Sequence, residues 1–207
     1  MVQVKICGIT NIEDAEAALK YGADALGFIC YKKSKRYIPA SQIHSITQKL
    51  PLFTVTVGVF VNPDLEEIHS VVKDSGIRLV QLSGDESPSF VRSLNYPVIK
   101  TLHIGDDYNY IQKDLDEFGK VIFLLDSSVS YGGSGVLANW KICKKIANKN
   151  PVILAGGLTP ENVSKAINYI KPVAVDVSSG VEKNAVKKDL VKIQRFISNV
   201  KKLNKSN

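Results

Sequence analysis

The 207-residue chain is short of the side chains that build metal and redox sites. Its three cysteines, Cys7, Cys30 and Cys143, are odd in number and far apart. No CxxC pair occurs, so neither a disulfide framework nor a zinc site is suggested. The three histidines, His44, His69 and His103, form no HxH or HExxH pattern, and no bound metal is expected. No apolar run approaches the ~18 residues that a membrane span requires. No charged-then-apolar leader opens the chain, so a cytoplasmic protein is expected, without a membrane partner. No GxGxxG follows the first strand-like segment, which weakens a dinucleotide-binding reading. No linker, repeat-poor tract or composition break appears, so residues 1–207 read as one domain, with 204–207 as a polar tail.

Charge is present, but unevenly. The net charge is +7, and residues 183–205 hold eight basic groups against one acid, Asp189. That excess reads as a solvated helix face. No interleaved aromatics or nucleic-acid motif accompany it, so no nucleic-acid partner is expected.

Short apolar segments alternate with amphipathic ones. Strands are predicted at 2–6, 25–29, 54–60, 78–82, 97–101, 121–126, 151–155 and 173–177. Helices are predicted at 12–22, 40–50, 64–76, 160–170 and 190–203, with a weaker pattern over 105–118. Strands alternating with helices imply βαβ units and parallel pairing. Several strands are apolar at nearly every position, as both-face burial requires. Eight such units predict an α/β fold, a single-domain (β/α)8 TIM barrel at the small end of its size range. Thr10 to Glu13 has capping-box spacing, Thr159-Pro160-Glu161 reads as a helix start, and Gly22 and Gly76 as helix ends.

In such barrels the chemistry sits where strands end. The strand ends offer Cys7-Gly8, Cys30, Phe60 to Asn62, Ser83 to Asp85, Thr101 to His103, Asp126-Ser127, Gly156-Gly157 and Ser178 to Gly180. The last two loops fall after strands seven and eight, the usual phosphate position. Gly156, Gly157, Ser178, Ser179 and Gly180 are therefore the candidate phosphate-binding residues, where backbone N–H groups and a helix N-terminus would meet the anion. Cys7 is either a small buried core residue or a thiol raised to the mouth of a site.

VKICGIT, GADALGFI with SKRYI, GVFVN, QLSGDE, LLDS, YGGSG, AGGLTPENV and AVDVSSGVE run in order from residue 4 to 182. In order and spacing the chain resembles the phosphoribosylanthranilate isomerases of tryptophan biosynthesis. The resemblance implies an intramolecular oxidoreductase without metal or organic cofactor, acting on a small phosphosugar as a monomer or homodimer. The implied reaction is the Amadori rearrangement of N-(5′-phosphoribosyl)anthranilate to 1-(2-carboxyphenylamino)-1-deoxyribulose 5-phosphate. It makes Cys7 the general base and Asp126 the general acid. It places Arg36 on the anthranilate carboxylate and Asp176 on a ribose hydroxyl. Cys7 precedes the helix expected near Thr10–Asn11, whose N-terminus could lower the thiol pKa. Gly8 would leave room for substrate, and Asp126 would need a raised pKa to act as an acid.

Four departures from the family pattern stand out. Ser83 replaces the histidine of QLHGDE, and a hydroxyl cannot carry charge as an imidazole does. Asn139 replaces an aspartate and keeps an equal N-cap. Ala185-Val186 replaces a Pro-Gly, implying a different loop shape. Lys32 replaces a proline, which should loosen the loop bearing Arg36. Two alternatives stay open: a histidine-pathway or bifunctional phosphoribosyl isomerase, and a non-catalytic phosphosugar-binding barrel.

Overall fold

The computed structural model describes residues 1–105, 112, 115–119, 121–126, 139–184 and 186–205. Ser127, the YGGSG motif, Ala185, residues 206–207 and most of the 105–118 segment lie outside the described residues; of that segment, 115–118 are helical.

Eight parallel strands close into a barrel in chain order. They are β1 (Gln3–Cys7), β2 (Ala25–Ile29), β3 (Val55–Phe60), β4 (Leu79–Leu82), β5 (Val98–His103), β6 (Ile122–Asp126), β7 (Val152–Leu154) and β8 (Ala174–Val177). β1 pairs with both β2 and β8, which seals the ring. The (β/α)8 architecture expected from the alternating pattern is the one observed.

Strand parity sorts every side chain. Outward residues such as Val4, Ile6, Leu26, Phe28, Leu82 and Val175 pack under the helices in one large apolar cluster. Inward residues fill the barrel. Val57, Ile99, Leu124, Ile153, Ala155 and Ala174 form an apolar plug. Nearer the strand ends the same parity brings Cys7, Gln81, Ser83, Thr101, His103, Asp126 and Asp176 to one cavity. The apolar layer thus forms a floor, and the polar layer above it forms the site.

The helices start and stop for local reasons. Asn11, one residue after the expected Thr10, caps helix Ile12–Tyr21 by accepting from Asp14 N–H at 2.8 Å. Thr10 instead donates its hydroxyl to the Val186 carbonyl at 2.6 Å. Gly22 and Gly76 end their helices with φ of 100° and 75°, the left-handed turn that glycine adopts without strain. Asn139 caps helix Trp140–Ala147 as expected, accepting from Ile142 N–H. The helix expected from 160 is regular only over Val163–Ile170. Residues 160–162 form a preceding turn, held by the Thr159 carbonyl, which accepts from Asn162 and Val163.

The final helix, Leu190–Lys205, runs past the expected end at 203. Asn204 is therefore not part of a loose tail. Its side chain accepts from Val2 N–H at 2.7 Å and donates to the Val2 carbonyl at 2.9 Å, tying the helix to the start of β1. The basic surplus is not uniformly solvated either. Lys188 is buried, Lys192 donates to the Glu182 carbonyl, and Lys201 pairs with Asp24. No described helix is long and apolar enough to cross a membrane.

Candidate active site

The cavity at the strand ends is lined by Cys7, Arg36, Asp126, Asp176 and Ser178, together with Tyr31, Ser83, His103 and apolar Ile29, Val59 and Leu124. β1 and β6 lie far apart around the ring, so Cys7 and Asp126 face the same space from different sides.

Cys7 is the last residue of β1, and Lys5 sits two positions earlier on the same face. Lys5 is buried and pairs across β1 and β8 with Asp176, Nζ to Oδ1 at 3.0 Å, the two residues being direct register partners. Gly27, the register partner of Cys7, makes this possible. A Cβ at Gly27 would lie 2.8 Å from Cys7 Sγ and 3.0 Å from Lys5 Nζ. The absent side chain is the space that the thiol and the ammonium occupy.

Burial pushes the Cys7 thiol above its ordinary value, and the Lys5 ammonium is the strongest influence pulling it back. Asp176 adds to the rise and Lys188 opposes it. Burial disfavours the Lys5 charge, but Asp176 and Cys7 outweigh it and hold the ammonium protonated. Burial likewise raises the Asp176 carboxyl, against the pull of Lys5. At the other two thiols no cation offsets burial. Burial pushes both Cys30 and Cys143 up to about 12, as for inert core cysteines.

Arg36 is inside the site but already engaged. Its Nε donates to Glu182 Oε1 at 2.6 Å and its Nη2 to Glu182 Oε2 at 2.8 Å. Lys188 Nζ donates to Glu182 Oε1 at 2.9 Å and to the Ser178 carbonyl at 3.2 Å. A short antiparallel pair, Glu182–Asn184 with Lys187–Lys188, folds Lys188 back onto Glu182. A guanidinium has five N–H groups, so a bidentate carboxylate leaves three for another acceptor. Gly8 serves this cluster rather than an open approach: with φ of 75°, a Cβ there would lie 2.8 Å from Arg36 Cδ and 3.0 Å from Ser178 Oγ. The Arg36 loop is held despite Lys32. Ser34 N–H donates to the Tyr31 carbonyl, Tyr37 N–H to the Ser34 carbonyl, and Arg36 N–H to Ser34 Oγ.

Ser83 joins a small hydroxyl network. Gln81 Nε2 donates to Ser83 Oγ at 3.1 Å, and Ser83 and Thr101 hydroxyls lie 2.9 Å apart. An imidazole stands one strand away. His103 Nε2 lies 3.3 Å from the Ser83 carbonyl oxygen, an acceptor, so that nitrogen carries the proton. His103 is in register with Asp126 on β6. The chain that lacks an imidazole at residue 83 therefore carries one beside the candidate acid.

The two phosphate-loop candidates come together in part. Gly156 and Gly157 have φ of 83° and 63°. Ser179–Val181 forms a single 3-10 turn. A Cβ on Gly180 would strike the Leu158 carbonyl, so glycine is what lets the loops after β7 and β8 touch. Ser178 differs from the rest, since its hydroxyl meets Lys188 and Glu182.

Lys5, Gly27, Glu182, Lys188 and Gln81 were not named as site residues from the sequence, and His103 was offered only as part of a strand end. Parity carries the missed signal: Lys5 shares a face with Cys7, and Gln81 with Ser83. Nothing local marks Lys188, because a hairpin brings it in.

The chain is similar to known proteins over nearly its whole length. The family model described as N-(5'phosphoribosyl)anthranilate (PRA) isomerase matches residues 4–199. The chain is 45% identical to the N-(5'-phosphoribosyl)anthranilate isomerase of Thermotoga neapolitana, over 98% of this chain and 100% of that one. A solved phosphoribosyl anthranilate isomerase, in complex with reduced 1-(o-carboxyphenylamino)-1-deoxyribulose 5-phosphate, matches with a TM-score of 0.88 at 40% identity, covering 98% of this chain and 100% of that chain. Monomers generated from the dimeric Thermotoga maritima enzyme match with a TM-score of 0.88 at 38% identity, covering 98% and 100%. The chain belongs to the N-(5'-phosphoribosyl)anthranilate isomerase family.

Proposed function

We propose that this isomerase performs its Amadori rearrangement with Cys7 as general base and Asp126 as general acid. The observation that carries the assignment is that the Cys7 thiol and the Asp126 carboxylate line one cavity from separate strand ends, while the second carboxylate there, Asp176, is paired with Lys5. Asp126 gives a proton to the furanose ring oxygen, and the C1–O bond opens to an iminium. The Cys7 thiolate then removes the proton at C2, leaving an enolamine. Return of that proton from Cys7 to C1 and transfer of the O2 proton to the Asp126 carboxylate give the ketone and restore both groups. Each positioned acid or base contributes roughly 10²–10⁴ in rate.

The free N–H groups of Arg36 receive the anthranilate carboxylate, beside the apolar wall of Ile29, Val59 and Leu124. The loops at Gly156-Gly157 and Ser179-Gly180 receive the phosphate, and Asp176 a ribose hydroxyl. The dimeric state of the Thermotoga maritima relative supports the homodimer of the two expected states.

The test is the fluorescence decay of phosphoribosylanthranilate, made in situ from anthranilate and phosphoribosyl pyrophosphate. Wild type is run beside Cys7→Ala and Asp126→Asn. Fast decay that each substitution slows by orders of magnitude supports the assignment. Decay no faster than the spontaneous rate, from folded wild type, overturns it.

A further inference from the structure

A buried lysine needs a reason, because burying an ammonium is costly unless it is paired. Lys5 lies beneath the cavity, not among the residues that line it. Its carboxylate partner, Asp176, takes one of its three N–H groups. The same ammonium and the thiol flank one point, the place of a Gly27 Cβ, which is 3.0 Å from Lys5 Nζ and 2.8 Å from Cys7 Sγ. The glycine opposite Cys7 leaves room for both groups side by side.

We propose that Lys5 is a positioning residue that stabilises the Cys7 thiolate, with Asp176 anchoring Lys5 from the neighbouring strand. This rests on the reading of Cys7 as the base, and it gives Asp176 a second task. The arrangement works as a triad. The carboxylate fixes the ammonium, and the ammonium balances the negative sulfur that must remove the C2 proton. Lys5 touches no substrate and acts through Cys7.

The charged groups around the thiol come from several elements. Lys5 lies on its own strand, Asp176 on β8 and Lys188 in the hairpin. Arg36, from the loop after β2, also feels the thiolate and is itself held by Glu182. Asp126, on β6, acts on Asp176. Opposite Cys7, β2 presents only Gly27. Of the charges acting directly on the thiol, Lys5 favours the thiolate most and Asp176 disfavours it.

The test is the pH dependence of Cys7 alkylation by iodoacetamide in the full chain. All three thiols are buried, so alkylation is read at the Cys7 peptide by mass spectrometry, with Cys7→Ser as the blank. Lys5→Met is expected to move the midpoint up by at least about one pH unit, which means ~10-fold slower alkylation below it. Lys5→Gln, also uncharged, is expected to move the midpoint the same way, and it serves if Lys5→Met does not fold. A purely structural bridge would change thermal stability in both variants and leave the midpoint in place. An unchanged midpoint in folded variants overturns the proposal, even in an active enzyme. Midpoints that shift as expected in a wild type without turnover would support the triad and overturn the isomerase reading instead.

Discussion

Replacing Gly27 with alanine tests the site with one methyl group. Gly27 lies in the middle of β2 and is not among the residues with positive φ, so alanine suits its backbone. The whole effect must come from what the new Cβ meets. It would meet Cys7 Sγ at 2.8 Å and Lys5 Nζ at 3.0 Å. That is about 0.6 Å short of the 3.4 Å at which ordinary contact begins. The lysine end is flexible but tied to Asp176, and the thiol is free to turn, so the thiol yields first. Overpacking a filled site costs about 1–3 kcal/mol. For a chain of this size each kcal/mol lowers Tm by about 2–4 °C, so a loss of roughly 2–12 °C is expected. The larger effect is on chemistry. Moving a reacting group by ~1 Å can cost about 10²-fold. The assay is kcat/KM from substrate fluorescence, with Tm from the same preparation. Activity within twofold of wild type and an unchanged Tm would refute the placement of thiol and ammonium over Gly27.

Three further outcomes are expected. Burial disfavours the Glu182 charge, but Arg36 and Lys188 hold its carboxyl below the usual range. The stability it contributes is thus complete above the ordinary glutamate value of ~4.3 and is lost as pH falls through the lower native value. Glu182→Gln, which breaks a buried pair, should cost about 3–5 kcal/mol at pH 7. The Tm difference from wild type should shrink toward pH 3, and a difference independent of pH would contradict this. Gly180→Ala should force the loops after β7 and β8 apart, raising KM for the phosphosugar more than it lowers Tm; isothermal titration with inorganic phosphate would show the lost affinity. His103→Asn should lower kcat/KM by roughly tenfold, near the upper end for one hydrogen bond at about 0.5–1.5 kcal/mol. An unchanged value would show the imidazole to be a spectator.

The barrel was legible because its signals are local and repeated. Apolar strands such as ALGFI and helix ends such as Gly22 and Gly76 need no knowledge of distant residues, and β2 falls at its expected bounds. Cys7, Arg36, Asp126 and Asp176 were found through motifs, and they do share one cavity. The electrostatics were not legible. Whether a thiol rises or falls in pKa depends on burial against distant charges. Sequence adjacency to the helix at Ile12 suggested a fall, whereas burial wins over Lys5. Lys188 illustrates the same limit. It reads as one more surface lysine in a basic tail, yet the hairpin buries it against Glu182, 146 positions along the chain from Arg36, which the same carboxylate holds. Ser83 reads as the loss of an imidazole, and only the register of β5 on β6 shows His103 beside Asp126.

The acid and base roles are tested most directly by single-turnover kinetics with substrate deuterated at C2 of the ribose. Cleavage of that bond belongs to Cys7, and ring opening to Asp126. In Cys7→Ser, proton removal should become the slow step and the full primary isotope effect should appear. In Asp126→Asn, ring opening should limit the rate and the effect should fall toward one. The reverse pattern, or an isotope effect that neither substitution changes, would contradict the assignment of base and acid.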